Sequence, residues 1–522
     1  MAKELVGYGR LIEQYKLPAR EQPVISFIDT AVSGRKRETF GSQERLSFEP
    51  NYRPEQTLAG NIQFALRYEG VTLEVLGLLF SQTGKKEIEA WFEASPESIY
   101  ARRAAFLYHW LTDTPIDARV PTKTAYVPLL DERLQIARNG GEKDSRYRVI
   151  NNLPGNKLFC PLIRKTDFIK EMLAKNLQQR TRETLDKYDS KLLARAAAFL
   201  YLKETQSSFD IEREKPSPQK AARFADLLRQ AETDVPLSED RLVALQNTVV
   251  DERFREPGYR GAQNWIGKDL GYRVKIDLVP PRPEDVHGLM EGLIKMAETY
   301  RHRPGAIDPV AYAASVAFGF VFIHPFMDGN GRLHRYLIHE ILSAANFTPK
   351  GIVLPVSAVM LANLDQYIDS LESFSKPIMN RTQYDPHRPD LLAQGNDALY
   401  FRFFDATVQA SFLYRAVERT VEHDLESEIQ YLIGYDKAYT ELNRMFDWPA
   451  HSLDFFIKVV QQNAGTLSKS KRDSHFPLLK ASEISEFEAV VRQAFGIAEA
   501  SPSRIKQAEP GLDLTRKRRP GR

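Results

Sequence analysis

In His324-Pro-Phe-Met-Asp-Gly-Asn-Gly-Arg-Leu-His-Arg335 a histidine, a carboxylate, two glycines and two arginines fall between two apolar runs of helical spacing, and this constrains the local architecture tightly. Asp308 and Pro309 read as an N-cap and first helical position, and the apolar run Val310 to Ile323 follows them. Pro325 cannot continue a helix, so that helix must end at His324. A second periodic run begins near Gly331 and carries Leu333, Leu337, Ile338, Ile341 and Leu342 on one side. The spacing therefore predicts a helix-loop-helix whose polar groups lie on the loop.

The loop has the groups that polyphosphate chemistry needs. Asp328-Gly329-Asn330-Gly331 leads into the second helix, so small residues let main-chain N–H groups converge where the helix dipole is positive. Arg332 and Arg335 stand three apart on the first turn, where both forks can reach oxygens of one polyphosphate. Asp328 is the only carboxylate of the loop, and Mg²⁺ commonly takes one or two protein carboxylates while phosphates and waters complete its octahedron. His324 sits at the opposite lip as the natural general base, since an ordinary imidazole with a pKa of about 6.5 can accept a hydroxyl proton near neutrality. Phe326 and Pro325 read as residues that shape the turn.

These residues resemble the motif of the Fic family, H-x-F-x-D/E-G-N-G-R-x-x-R, at every fixed position. The resemblance implies a protein adenylyltransferase: His324 would deprotonate a Ser, Thr or Tyr hydroxyl of a target protein, and the oxygen would attack the α-phosphate of ATP and release pyrophosphate. The product would be an AMPylated protein. By position, Asp328 would hold Mg²⁺, Gly329, Asn330 and Gly331 would form the main-chain anion hole, Arg332 would hold the α/β end of the polyphosphate, and Arg335 the γ-phosphate. A related subgroup that phosphorylates its target has Lys in place of the second loop glycine; Gly331 argues against that chemistry.

Upstream, Trp265 to Leu278 alternates on its second arm around a short polar break with two glycines, which predicts a β-hairpin. Pro280-Pro281 stops it, and Pro283-Glu284-Asp285 opens another helix. The resemblance makes this hairpin the flap that positions the target segment by strand addition, through Lys275, Ile276 and Asp277. A helical run from Leu192 continues to Ser207-Ser208-Phe209-Asp210-Ile211-Glu212-Arg213. Ser208-x-x-x-Glu212 resembles the S/T-x-x-x-E-G/N inhibitory motif of autoinhibited Fic proteins, whose glutamate pairs with the second arginine of the loop, here Arg335. Such a pair would occupy the fork needed by the γ-phosphate. Arg213 departs from the motif, which prefers Gly or Asn, so Glu69 of Ala65-Leu66-Arg67-Tyr68-Glu69-Gly70 stands as the alternative acid.

The 522 residues, 43% hydrophobic and 27% charged, suit a globular protein of several domains. No apolar run reaches membrane-spanning length and the N-terminus lacks a secretory apolar core, so a cytoplasmic location is expected. Cys160 is the only cysteine, which excludes an intrachain disulfide and a thiolate metal cluster. The net charge is +3, but Arg516, Lys517, Arg518, Arg519 and Arg522 supply five of the positive charges, so the body is not basic and nucleic acid is not an expected partner. The expected organisation is mainly α: a mixed α/β N-terminal module (1–185), a Fic-type helical core with a short β-hairpin flap and the inhibitory helix (186–350), an α-helical C-terminal module (351–500) and a basic tail (501–522). His334 and His339 stand five apart on a helix and read as packing or surface residues, not as zinc ligands. The expected partners are ATP and an unidentified hydroxyl-bearing protein target; the resemblance also allows self-AMPylation and a homodimer. Two other functions use the same residues: removal of AMP from a modified protein, with Glu212 orienting water and His324 as acid, and nucleotide sensing by an interaction protein.

Overall fold

The computed structural model describes residues 3–498 apart from 42, 118, 119, 122, 232–234, 273 and 389–391. The basic tail expected at 501–522 and Arg273 of the expected hairpin lie outside the described residues. The chain is mainly helical, with small sheets, and divides into two compact units, Met1–Asp424 and Leu425–Arg522.

Within the larger unit, the helix Pro309–Ile323 begins as its sequence predicts: Pro309 is the first helical residue, and the Asp308 carboxylate accepts the N–H groups of Val310 (3.0 Å) and Ala311 (3.2 Å). Every residue of this helix except Val321 is buried, as expected for a helix that is apolar all round. It packs against Pro283–His302, Asn330–Ala344 and Thr407–Arg419, and Tyr312 stacks on Tyr300 with ring centroids 4.3 Å apart. The functional loop thus hangs between two helices that are both fixed in the core.

The N-terminal part is mixed, as expected. Four strands, Glu4–Val6, Val24–Ile28, Arg35–Phe40 and Gln43–Phe48, pair in the order first, second, fourth, third, the central pair parallel and the outer pairs antiparallel. The inner face meets helix Leu58–Tyr68 through Phe48, Phe64 and Tyr68, whose rings lie 4.8–5.1 Å apart. A second small sheet joins Val127–Pro128, Glu142–Asp144 and Val149–Asn151. Cys160 is wholly buried, and burial pushes its thiol up to about 12, so it behaves as a small hydrophobe.

The larger unit continues through Val356–Ala362, Leu364–Met379 and Thr407–Arg419, past the division expected at residue 350. Main-chain bonds tie this stretch to the N-terminal part: Cys160 N–H to Arg402 O (2.9 Å), Leu162 N–H to Phe404 O (3.1 Å) and Ala406 N–H to Leu162 O (2.8 Å). Helical periodicity predicts that a helix buries one face but not which neighbour receives it, which is why the boundary was not readable. The smaller unit is helical, with Leu425–Met445, Ala450–Gln462, Lys469–His475 and Ala481–Phe495 around Leu442, Trp448, Phe456, Phe476 and Phe487. Among the described residues no helix is long and apolar enough to cross a membrane.

Candidate active site

His324 caps the buried helix in the left-handed conformation, φ 52°, a place more often taken by Gly or Asn. The turn lifts its ring out of the helix. Nδ1 lies 3.1 Å from Val321 O, so the tautomer with a proton on Nδ1 is held and Nε2 carries the free lone pair. Burial pushes the imidazole down to about 4; the bond to Val321 opposes this, Arg260 adds to it, and Glu212 and Asp328 oppose it again. The ring is therefore neutral at physiological pH.

The loop closes on itself through Asn330, whose side-chain amide donates to Phe326 O (2.7 Å) and accepts from Phe326 N–H (3.1 Å). Phe326 is fully buried against Tyr259, in the shaping role its sequence suggests. Gly329 takes φ 88° and opens the helix Asn330–Ala344, leaving the first-turn N–H groups without acceptors inside the helix. Asp328 Oδ1 accepts from Gly329 N–H (2.6 Å) and from Arg332 Nη2 (3.3 Å), and its side chain is 43% exposed. No group of three or more His, Cys, Asp or Glu gathers among the described residues. A cation at Asp328 would therefore draw its other ligands from phosphate and water, the habit of Mg²⁺.

Both arginines are buried and both are engaged. Arg335 donates from Nε to Ser208 Oγ (2.7 Å), and from Nη2 to Ser208 O (2.8 Å) and Glu212 Oε1 (2.8 Å). Ser208 lies in the helix Ser190–Ile211 and Glu212 caps it, so residues four apart present one face to the arginine. Glu212 also closes over the glycine turn: a Cβ on Gly331 would stand 2.1 Å from Glu212 Oε1. Its burial would raise its pKa, but Arg335, then Arg332 and His324, hold the carboxyl below its usual range. Glu69, the alternative acid, lies elsewhere and accepts from Tyr8 N–H (3.0 Å). The helix is pinned further back by Glu204, which accepts Ser357 N–H (2.8 Å) and meets His339 Nε2 (2.7 Å). His334 and His339 are accordingly buried packing residues.

The departure at Arg213 has a conformational consequence. Arg213 adopts φ 58°, a left-handed turn that Gly or Asn tolerates and Arg takes at a cost of roughly 1 kcal/mol. Because its side chain is exposed, Arg213→Asn is expected to remove strain without removing packing. Urea unfolding should show a gain of about 0.5–1 kcal/mol; a loss would mean that the arginine side chain itself holds the turn.

Sequence reasoning missed several loop contacts. Glu214, just past that turn, accepts from Arg332 Nη1 (2.9 Å), which also donates to Val249 O (2.6 Å). The segment Glu256 to Asn264 runs beside the loop: Glu256 Oε1 accepts Met327 N–H (2.7 Å), Arg260 N–H donates to Pro325 O (2.8 Å), and Asn264 Nδ2 donates to Phe326 O (3.4 Å). A charged residue in a Pro- and Gly-rich stretch ordinarily reads as a solvated turn, so periodicity offered no signal for it.

The hairpin forms where expected, Ile266–Asp269 antiparallel to Val274–Leu278. Lys275, Ile276 and Asp277 lie on the second strand, with Lys275 Nζ 2.9 Å from Asp277 Oδ1. The sheet has two strands, with no third strand paired to it among the described residues. Its C-terminal root reaches the loop that follows His324 through Arg260, which donates to Pro281 O (2.6 Å) and His324 O (2.8 Å).

Residues 236–342 match the Fic/DOC family. The chain is 40% identical over 73 residues to the protein adenylyltransferase Fic of Nematostella vectensis and 36% identical over 77 residues to that of Drosophila persimilis. These matches cover 14% and 15% of this chain and 17% and 14% of the relatives, so the chain spans about a sixth of their length. Among solved structures, a Fic domain containing signaling protein from Bacteroides thetaiotaomicron VPI-5482 is 19% identical, with 48% of this chain and 95% of that chain covered and a TM-score of 0.34. A Fic family protein from Desulfovibrio desulfuricans G20 is 18% identical, with 65% and 87% covered and a TM-score of 0.36. The helix that carries Ser208 and Glu212 lies before the matched segment, whereas the whole loop from His324 to Arg335 lies inside it. The loop built around His324 thus lies within residues 236–342, the stretch that matches the Fic/DOC family.

Proposed function

We propose that this protein transfers AMP from ATP to a Ser, Thr or Tyr hydroxyl of a target protein and is held off at rest by its own glutamates. The observation that carries this reading is the convergence on one loop of a neutral histidine with a free Nε2, a helix N-terminus and two buried arginines. In the reaction, His324 Nε2 takes the hydroxyl proton as the oxygen bonds to the α-phosphorus, and the bond to the bridging oxygen breaks to release pyrophosphate. The first-turn N–H groups and the two guanidinium groups then hold the charge that accumulates on the leaving phosphates. Asp328 would hold Mg²⁺, which when bound neutralises phosphate charge. The hairpin edge would receive the target segment as an added strand, with Lys275, Ile276 and Asp277 lining it.

The inhibition rests on two contacts. Glu212 occupies the Arg335 fork and the space over Gly331, and Glu214 occupies Arg332, so both cationic ends of the cradle are neutralised before a nucleotide arrives. Glu214→Gln should tighten Mg-ATP binding about three- to tenfold, equivalent to losing a competitor of about 0.7–1.4 kcal/mol. Isothermal titration checks this, and unchanged affinity would make Glu214 a bystander. The reaction class itself is tested with two labels. Transfer from α-³²P-ATP without transfer from γ-³²P-ATP indicates adenylylation, the reverse pattern indicates phosphorylation, and release of AMP from an adenylylated target indicates the reverse activity of the same groups.

A further inference from the structure

Arg260 is buried to 3% exposure, and its guanidinium contacts run to main-chain carbonyls: Nε to His324 (2.8 Å), Nη1 to Ala262 (3.0 Å), and Nη2 to Pro281 (2.6 Å) and, longer, Ile323 (3.5 Å). Its own N–H donates to Pro325 O (2.8 Å). One residue therefore engages the carbonyls of Ile323, His324 and Pro325, the three peptides through which the buried helix turns into the loop. A buried guanidinium is ordinarily matched by a carboxylate. Here carbonyl dipoles supply its hydrogen bonds, and burial lowers its pKa to about 10, an effect the Glu256 carboxylate opposes.

Two features give this arrangement meaning beyond packing. His324 stands at φ 52°, and a non-glycine residue holds such a conformation only where its surroundings over-determine it; the three carbonyl contacts supply that constraint. Of the other two carbonyls, Ala262 belongs to the segment of Arg260 itself and Pro281 lies three residues after the hairpin strand Val274–Leu278. The planar fork spans from the root of the hairpin to the peptide of the base, a reach that a lysine ammonium, with its donors on one atom, does not reproduce.

We propose that Arg260 is a positioning residue that sets the placement of His324 and couples it to the root of the hairpin, so that a target strand seated on the hairpin and the base that deprotonates it share one support. The inference rests on the reading of His324 as the base. It predicts that Arg260 affects turnover and the response to the target more than the affinity for nucleotide, because the phosphate-binding groups lie on the far side of the loop, at Gly329 to Arg335.

The test uses the full chain with Arg260→Lys and Arg260→Gln, each made alone and with Glu212→Gly. Histidine titration is followed by NMR with the His324 resonance assigned by substitution, and label transfer is followed as kcat and as KM for ATP and for target. The charged groups acting on His324 are Arg260, Glu212 and Asp328, and only the first changes between these single variants and wild type. The expected result is that the titration midpoint of His324 rises in Arg260→Gln and stays low in Arg260→Lys. In the Glu212→Gly background both variants should lose at least tenfold in kcat while KM for ATP moves less than threefold. The inference is overturned if the midpoint is the same in all three proteins, or if activity falls only in proportion to the folded fraction measured by circular dichroism. Absence of label transfer in Glu212→Gly alone would count against adenylylation, while the NMR titration, which needs no activity, would still decide whether Arg260 governs His324.

Discussion

Glu212→Gly is expected to raise transfer of label from α-³²P-ATP by about tenfold to a hundredfold over the unaltered chain. The Glu212 side chain is 38% exposed while that of its partner Arg335 is 1% exposed, so the pair is a charge-assisted contact at the mouth of a buried site. Hydrogen bonds of that kind contribute about 1.5–3 kcal/mol, which sets the expected gain. The same substitution removes the carboxylate hydrogen-bonded to the buried Arg335, so the free protein should lose about 1–3 kcal/mol of stability. ATP should restore part of it, because a ligand that binds only the native state stabilises by RT ln(1 + [L]/Kd). Thermal unfolding with and without Mg-ATP therefore gives a second signature: a lower Tm than wild type without nucleotide, and a larger upward shift with it. Equal activity in both proteins would remove Glu212 as the controlling acid.

In that activated background, replacing His324 should lower kcat by about 10²- to 10⁴-fold, the usual contribution of a positioned general base. Affinity for Mg-ATP should change no more than a few-fold, since the cradle and both arginines are untouched. The choice of substitution matters. At φ 52° an alanine adds backbone strain of roughly 1 kcal/mol, whereas asparagine tolerates the left-handed region. His324→Ala and His324→Asn should be equally inactive but differ in stability, and an asparagine variant that retains more than a tenth of the activity would show that proton removal from the hydroxyl does not depend on the imidazole.

The helix-loop-helix was legible because three strong signals agree there: the Asp-Pro start, the proline that ends the buried helix, and the glycines that open the next. The hairpin was legible from alternation and its proline stop. The N-terminal sheet was not, and the strand Arg35–Phe40 explains why: most of its residues are exposed, so no apolar alternation marks it. Its register comes from pairing with Gln43–Phe48, a tertiary fact. Around the site, residues whose type declares their chemistry could be named in advance, whereas Glu214, Glu256 and Arg260 could not. Their roles depend on which main-chain group or guanidinium the fold brings to them. The expectation of Gly or Asn after Glu212 proved informative through its violation, since the backbone keeps the left-handed turn and Arg213 adopts it regardless.

The anchoring of the helix Ser190–Ile211 by Glu204 bears on how such a site would respond to nucleotide supply. The helix is pinned through His339 and Ser357, so under the proposed inhibition opening would involve only its last turn, and the displaced carboxylates would stay tethered near the arginines they leave. A tethered competitor has an effective concentration that dilution cannot lower. Under that proposal the apparent Kd for ATP would be the intrinsic one divided by the fraction of molecules whose last turn is open. Substitutions in that turn would tune the nucleotide concentration at which the site fills without touching the catalytic loop, making the turn a threshold setting separable from the chemistry.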